Sequence, residues 1–377
     1  MFVARISRRG FDLVTLLIVL SLVAVGVMMI YSAYEVSRPA EEDTGLLDNY
    51  VFRQVLFAGA GLVAYLAVAA LDYHVLLNAY RWIYVAVIAM LIFTVIIGHA
   101  RFGSQSWVEV LTFTVQPSEL AKVLMVIVIA RLLDGSEHDL ESPLPLILSA
   151  ILVAAPVVLI FQQPDFGIAL MLLCTWVGMI FLAGVRWRHI LLLGLAGVVA
   201  VPVAWFKGPP YMRQRIVDFM FPGHDPSGAS YNTMQALISI GSGGWWGKGF
   251  LRGTQSQLHF LRVRHTDFIF SVLAEEFGFV GSLLLLALYA VLILRLVRIA
   301  SQAPDMSGRL IVGGVATMIF AQAFINTGMN ASLLPVTGLT LPLVSYGGSS
   351  LTTMMLGLGL AQSVALRSGR GDPSLLG

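Results

Sequence analysis

Runs of about 18 or more apolar residues, each long enough to cross a hydrocarbon layer of about 30 Å, recur from the beginning of this chain to near its end. That recurrence leaves few folds open. Inside lipid every backbone N–H and C=O must find a partner within the protein, and a helix does so by itself. We place ten such runs, at residues 12–31, 51–71, 76–97, 116–133, 144–161, 166–183, 188–205, 275–295, 310–332 and 349–366. Composition agrees, with 58% hydrophobic and 12% charged residues where soluble domains carry roughly 25% charged. The expectation is an all-α polytopic membrane protein, residues 1–377, with ten transmembrane helices in a single domain.

Orientation follows from the basic residues. With the N-terminus in the cytoplasm, twelve arginines fall on inner segments, among them Arg5, Arg8, Arg9, Arg295, Arg298 and Arg370. The short outer loops then hold only Arg38, Arg53 and Arg101, as the positive-inside rule requires. Both termini are expected to be cytoplasmic. The first run resembles a signal peptide in its basic start, yet it is long and lacks a small-residue cleavage site, so it reads as an uncleaved helix. Because topology accounts for the basic residues, the net charge of +2 points to no nucleic-acid partner.

One connection is long. Residues 206–266, between the seventh and eighth runs, form a large extracytoplasmic loop rich in Lys207, Arg213, Arg215, Lys248, Arg252, Arg262 and Arg264. Long loops translocate regardless of charge, and the apolar and aromatic content of 230–250 argues for a folded cap, with Trp245 and Trp246 at headgroup level. The single Cys174 provides no disulfide framework and no zinc site. His189, His224, His259 and His265 lack metal-ligand spacing, and no phosphate-binding glycine loop occurs in a strand-turn-helix context.

Polar residues inside the greasy runs carry the chemistry. Glu119 and Lys122 are three apart in the fourth run and share a helix face. They are either a structural ion pair, with Lys122 snorkelling to the interface, or the lining of a substrate cavity. Asp165 in "QQPDFG" caps the following helix or serves a site. Arg53 and Arg101 are interface anchors or contacts to an anionic head group, and Asn326 with Asn330 fits hydrogen bonding between helices. In "RHTDFIFSVLAEEFGFVG", Asp267 lies about 15 Å along a helix axis from Phe277, where the apolar run begins. It belongs at the outer mouth, as a cap or as a proton acceptor, with Glu275 and Glu276 marking the membrane boundary. A carboxylate among cations at the level of lipid phosphates suits a lipid diphosphate substrate: positive groups hold the leaving phosphate while the carboxylate takes a proton from an attacking hydroxyl.

These residues also carry a resemblance. "QPSELAK" (116–122), "QQPDFG" (162–167), "GASYNTMQALISIGSGGWWGKGF" (228–250), "GTQSQLHFL" (253–261), "HTDFIFSVLAEEFGFVG" (265–281) and "GMNASLLPVTGLTLPLVSYGGSS" (328–350), in this order on ten runs, resemble the SEDS family (shape, elongation, division and sporulation), most closely its elongation branch. The resemblance covers nearly the whole chain. It implies a peptidoglycan glycosyltransferase of the bacterial cytoplasmic membrane that polymerises lipid II on the extracytoplasmic face during cell elongation and shape maintenance. Asp267 matches the family's essential carboxylate, Glu119 and Lys122 its charged pair, Asp165 its other functional Asp, and Arg53 a functional Arg. Inverting transfer would then use Asp267 as general base, with Lys122, Arg53 and the basic loop, or a divalent cation (Mg2+ or Mn2+), on the diphosphate. A class B penicillin-binding protein, a transpeptidase, is the implied partner. Rival readings are a lipid II flippase and a noncatalytic scaffold for that transpeptidase. One departure stands out: where the family commonly reads Leu-Pro-Glu before "HTDF", this chain has Leu261, Arg262, Val263, Arg264, which should make the mouth more basic.

Overall fold

The computed structural model describes residues 10–35, 49–101, 104–110, 113–134, 144–207, 210–221, 229–261 and 263–368. Arg5, Arg8, Arg9, Arg38, Arg262 and Arg370 lie outside them, as do the side chains of Glu35, Arg101 and Lys207. Each of the ten apolar runs lies on a helix. In chain order these are α1 (Leu13–Ile30), continued by a π turn at Tyr31–Glu35, α2 (Tyr50–Ala70), the short α3 (Tyr73–Asn78) leading into α4 (Tyr80–Ile97), α5 (Pro117–Asp134), α6 (Leu144–Gln162), α7 (Phe166–Leu182) and α8 (Trp187–Lys207). Then come α9 (Pro210–Met220), α10 (Ala229–Gly243) and the single turn α11 (Thr254–Gln257), followed by the long α12 (Ile269–Ser301), α13 (Met306–Asn330) and α14 (Gly348–Ser368).

Seven of these helices, α1, α2, α4, α6, α12, α13 and α14, are long and apolar enough to cross a membrane, so the chain is a multi-pass membrane protein. α7 is apolar but has 17 residues, and α5 carries Glu119, Lys122, Arg131 and Asp134 in its 18. The buried centre is built on α5, α13 and α14, whose inner faces present Met125, Val126, Ile319, Met354 and Leu358. α2 packs along α14, α7 and α12 flank α13, and α1 lies against α12. α8 turns Leu191, Leu192, Leu195 and Val198 outward, as a lipid-facing helix does.

The all-α expectation misses one element. Between α4 and α5 lies a three-stranded antiparallel meander, β1 (His99–Arg101), β2 (Ser104–Val110) and β3 (Phe113–Val115). Its registers pair His99 with Trp107, Arg101 with Ser104, and Glu109 with Thr114. The run of Trp and Val at 107–110 supplies the aromatic and β-branched residues that favour strands.

α12 is broken near its start, and the break explains two of its three acidic neighbours. Gly278 takes φ 66° and ψ −162°, a conformation that side chains resist, so the helical ladder opens there. The freed groups pair with the segment after α10: Lys248 N–H donates to Glu275 O (3.0 Å), Gly249 N–H to Glu276 O (2.9 Å), Phe279 N–H to Gly244 O (2.8 Å) and Val280 N–H to Trp245 O (3.1 Å). A Cβ on Gly247 would stand 2.1 Å from Glu276 O, so only glycine permits this backbone-on-backbone approach. The side chains complete the clasp. Glu275, fully buried, takes Lys248 Nζ at 2.7 Å, Thr254 Oγ1 at 3.0 Å and Gln255 N–H at 3.1 Å, and Glu276 accepts the Ser32 hydroxyl from the end of α1. Both carboxylates are therefore internal ties for residues 244–257.

Opposite ends of the bundle carry distinct polar clusters. At the end away from Asp267, Asp12 caps α1 and pairs with Arg295 (2.8 Å). There Asp305 accepts from Tyr73 (2.6 Å) and meets His74 (2.9 Å), while Arg367 reaches Asp72 (3.3 Å). These contacts join the ends of α1 and α12 and, separately, the α2–α3 corner to α13 and α14.

Candidate active site

Asp267 sits in the turn just before α12. Local sequence allows it to cap that helix, but Phe268 occupies the cap position and no side chain caps there. Its main chain is clamped instead: Asn326 Nδ2 and Asn330 Nδ2, on the last turns of α13, both donate to Asp267 O at 3.0 and 2.9 Å. Asn330 Oδ1 accepts from Ser271 N–H (3.2 Å) and its hydroxyl, and Ser345 Oγ donates to Thr266 O at 2.6 Å. The Asp267 carboxyl is half-buried, and burial pushes it up to about 6 against the lowering effects of the Thr266 hydroxyl and of Arg215.

The connection from Ala331 to Gly347 is a strap across this end of the bundle. Thr337 O runs against α7, where a Cβ on Gly167 would meet it at 2.6 Å, and one on Gly338 would stand 3.9 Å from Asp267 Oδ2. The strap thus passes between Asp165 and Asp267. Asn326 Nδ2 holds it at Leu339 O (2.7 Å) and Gln322 Nε2 at Thr340 O (2.9 Å). Gly347 N–H donates to Gln54 Oε1 on α2 (3.3 Å).

The other residues singled out from sequence gather on the far side of that strap. Glu119 and Lys122 form an ion pair at 2.9 Å, both buried. Lys122 Nζ also donates to Gln322 Oε1 (3.0 Å), so it turns into the bundle and does not snorkel. Asp165 is the α7 cap, accepting from Ile168 N–H at 3.2 Å. Its second oxygen accepts from Gln116 Nε2 at 2.6 Å. Burial pushes Asp165 up to about 6, opposed by the Ile168 N–H, with Glu119 raising it and Lys122 and Arg215 lowering it. Glu119, Lys122 and Asp165 therefore share one electrostatic site, and Arg215 links it to Asp267.

Arg53 stands apart from this group, hydrogen-bonded to Tyr346. There Tyr34, Tyr50, His265 and Tyr346 form an aromatic cluster, with ring centroids of Tyr50 and His265 5.0 Å apart. Burial, and then the charge of Arg264, hold His265 down at about 4, so the imidazole itself is uncharged at physiological pH. The Arg101 backbone closes the β1–β2 turn. Arg264 corrects an expectation: it is buried, with Nε donating to Ala33 O and Nη1 against His259 Nδ1 (2.9 Å), and it does not add its charge to an open mouth. The residues sequence reasoning missed are Gln116, Gln322 and Arg215. Gln116 is an uncharged residue of "QPSELAK", and Arg215 is one of seven cations in 206–266. Among the described residues no three His, Cys, Asp or Glu side chains come together as a metal-ligand set.

Apolar helices around a cluster of ionisable side chains, with a clamped carboxylate on one side and a buried ion pair on the other, define a multi-pass membrane protein with a candidate site at one end of the bundle. The profile of the cell cycle protein family of FtsW, RodA and SpoVE matches residues 12–369, and the chain belongs to that family. It is 38% identical over 343 residues to the peptidoglycan glycosyltransferase MrdB of Escherichia coli K12, covering 89% of this chain and 90% of that one. It is 36% identical over 365 residues to stage V sporulation protein E of Bacillus subtilis, covering 94% and 96%. Among solved structures, it is similar to a chain of a peptidoglycan synthase complex described as coordinating polymerization and crosslinking (TM-score 0.80, 32% identity, 96% of this chain and 99% of that chain). The crystal structure of the rod shape determining protein RodA of Thermus thermophilus is also similar (TM-score 0.69, 32% identity, 95% and 97%).

Proposed function

We propose that Asp267 is the general base with which this peptidoglycan glycosyltransferase polymerises lipid II in cell elongation and shape maintenance. The activity follows from the family and its named members. The residue assignment rests on one contrast. Asp12, Glu119 and Glu275 are each tied up in an ion pair, and Asp165, which like Asp267 joins none among the described residues, is spent as the α7 cap and on Gln116 Nε2. Asp267 has its backbone clamped by two asparagines, yet among the described residues its carboxylate joins no ion pair.

In the step we propose, an Asp267 oxygen takes the proton of the acceptor GlcNAc 4-hydroxyl. The acceptor's 4-hydroxyl oxygen, as it loses that proton, attacks the anomeric carbon of the donor's MurNAc from the face opposite the leaving group. The bond to the diphosphate breaks with its electron pair, the configuration inverts, and undecaprenyl diphosphate departs. Lys122 supplies positive charge to the leaving group while Glu119 holds it oriented and charged. Asp165, steadied by Gln116, fixes the sugar side of the cavity. Arg53 and Arg101 meet the head group at the rim. No step is routed through a divalent cation.

The finer topology belongs to the same proposal: ten crossings, both termini cytoplasmic, 206–266 as the extracytoplasmic loop, and the site on the extracytoplasmic face of the bacterial cytoplasmic membrane. The partner we infer is a class B penicillin-binding protein, in keeping with the synthase complex that resembles this chain. One observation bears on the flippase alternative. The buried stretch Val126–Ile129 of α5, one turn beyond Lys122, is wholly apolar. The polar clusters at the two ends are thus separated by packed hydrocarbon, which favours chemistry at one end over passage between them.

The test is a gel assay for glycan strands made from lipid II by purified protein, alone and with the transpeptidase. Asp267→Asn should bind lipid II and yet polymerise at least about a hundredfold more slowly, the usual contribution of a general base. Polymer at the wild-type rate would end the assignment. Polymer only with the transpeptidase present, unchanged by Asp267→Asn, would favour the scaffold.

A further inference from the structure

Of the basic residues of the 206–266 segment that the structure describes, most are spent on the protein itself. Lys248 is locked on Glu275 at 2.7 Å, Arg264 is buried on Ala33 O and His259, and Arg213 donates to Phe206 O at 3.3 Å. Arg252 is exposed on the segment clasped to α12, and it acts on neither Asp165 nor Asp267.

Arg215 differs in where it reaches. It projects from α9 onto the strap, where Nη1 donates to Val336 O at 3.2 Å and Thr337 O at 3.0 Å. Those carbonyls belong to the stretch of strap where Thr337 O lies against Gly167, two residues from Asp165, and the next residue, Gly338, lies beside Asp267. One edge of the guanidinium is thereby fixed over the gap between the two carboxylates. Among the described residues Nε and Nη2 make no hydrogen bond or ion pair. The planar fork of an arginine matches two phosphate oxygens at once, which an ammonium does not. A cation held in place by backbone carbonyls, half-buried, with its second edge unspent, is prearranged for a planar or paired-oxygen anion.

We propose that Arg215 is the anion-gripping residue of the site: its Nη1 stays on the Val336 and Thr337 carbonyls while Nε and Nη2 take oxygens of the diphosphate that joins sugar to prenyl chain. This rests on the glycosyltransferase reading above and names the residue that meets the donor. The same chemistry would also hold the phosphate of a bilayer phospholipid, and the test separates the two sources.

The probes are farnesyl diphosphate, farnesyl monophosphate and phosphatidylglycerol vesicles, titrated against full-length protein in phosphatidylcholine nanodiscs. Arg215→Gln keeps an N–H donor for the carbonyls but no charge or fork; Arg215→Lys keeps the charge alone. Farnesyl diphosphate affinity should fall about tenfold or more in Arg215→Gln, the worth of a lost charge-assisted contact, and partly in Arg215→Lys. Affinity for farnesyl monophosphate should fall less, and that for phosphatidylglycerol vesicles should not change. With lipid II as substrate, KM should rise more than kcat falls, and Arg252→Gln should behave as wild type. A merely structural latch predicts instead that Arg215→Gln binds farnesyl diphosphate normally; that result, or an equal loss for phosphatidylglycerol, overturns the proposal. If Arg215→Gln melts early, Arg215→Lys decides by the same comparison. Because the probes do not react, the titration repeated in Asp267→Asn protein stands or falls independently of the general base.

Discussion

Asp267 is held by its main chain and left open at its side chain, and the asparagines that hold it are as testable as the carboxylate. Asn330 contributes one of two donors to Asp267 O and the acceptor for Ser271. Asn330→Ala should displace the carboxylate slightly and lower kcat by about ten- to a hundredfold, since small misplacements are costly at a reacting centre. A structural role alone would lower the melting temperature and leave kcat in place. The pH profile gives a second handle. The base works as carboxylate, so kcat/KM, which reports the free enzyme, should fall as pH drops through about 6, the value to which burial pushes Asp267. Asp165 is pushed to about 6 as well, so the limb must persist in Asp165→Asn if it belongs to Asp267. Arg215 lowers Asp267, and its removal should move the limb to higher pH.

At the scale of elements, the break in α12 joins the cap to the bundle. Helical N–H and C=O groups that would pair with each other pair with residues 244–249 instead, which is tolerable in a membrane protein because the break is covered by protein. Gly278→Ala would place a Cβ 2.4 Å from Gly247 N in a positive-φ position. It should cost at least about 2 kcal/mol and speed hydrogen exchange at Lys248, Gly249, Phe279 and Val280; unchanged protection at those four amides would mean the clasp is not cooperative. Apolar length located each helix of the bundle from sequence, because lipid imposes that length residue by residue. It could not reveal the break, since a glycine inside an apolar run reads the same whether the helix continues or opens. Glu275 and Glu276 were legible as anomalies, but their partners Lys248 and Ser32 lie 27 and 244 residues away. The i,i+3 pair of Glu119 and Lys122 was readable because a helix brings such neighbours together by itself. Arg215 was not, for its partners are carbonyls 121 and 122 residues distant, and backbone acceptors leave no trace in side-chain identity. Arg264 misled for the converse reason: a basic residue in a loop reads as exposed until Ala33 O is found beneath it.

For the molecule as a whole, the two ends of the bundle divide their labour. One end spends its charge on ties between helices, as with Asp12 and Arg295 or Asp305 with Tyr73 and His74; at the other, Asp267 joins no ion pair among the described residues. If the site faces outward, chain direction must alternate through helices that differ widely in apolarity, and α5, α7 and α8 are the ones whose crossing is argued by parity. A single native cysteine, Cys174, makes this directly measurable. In a Cys174→Ser background, single cysteines at exposed Trp246, next to the clasp, and at Phe221, beyond α9, should react with a membrane-impermeant maleimide in intact spheroplasts. Cysteines at exposed Trp187, at the start of α8, and at Ser301, at the end of α12, should react only after permeabilisation. Labelling of Trp187→Cys and Phe221→Cys from the same side would mean that α8 does not cross. The parity of every later helix would then reverse relative to the earlier ones, and Asp267 could not share a membrane face with Asp165. Since Arg215 acts on both carboxylates across one strap, that outcome would contradict the fold itself as well as its orientation.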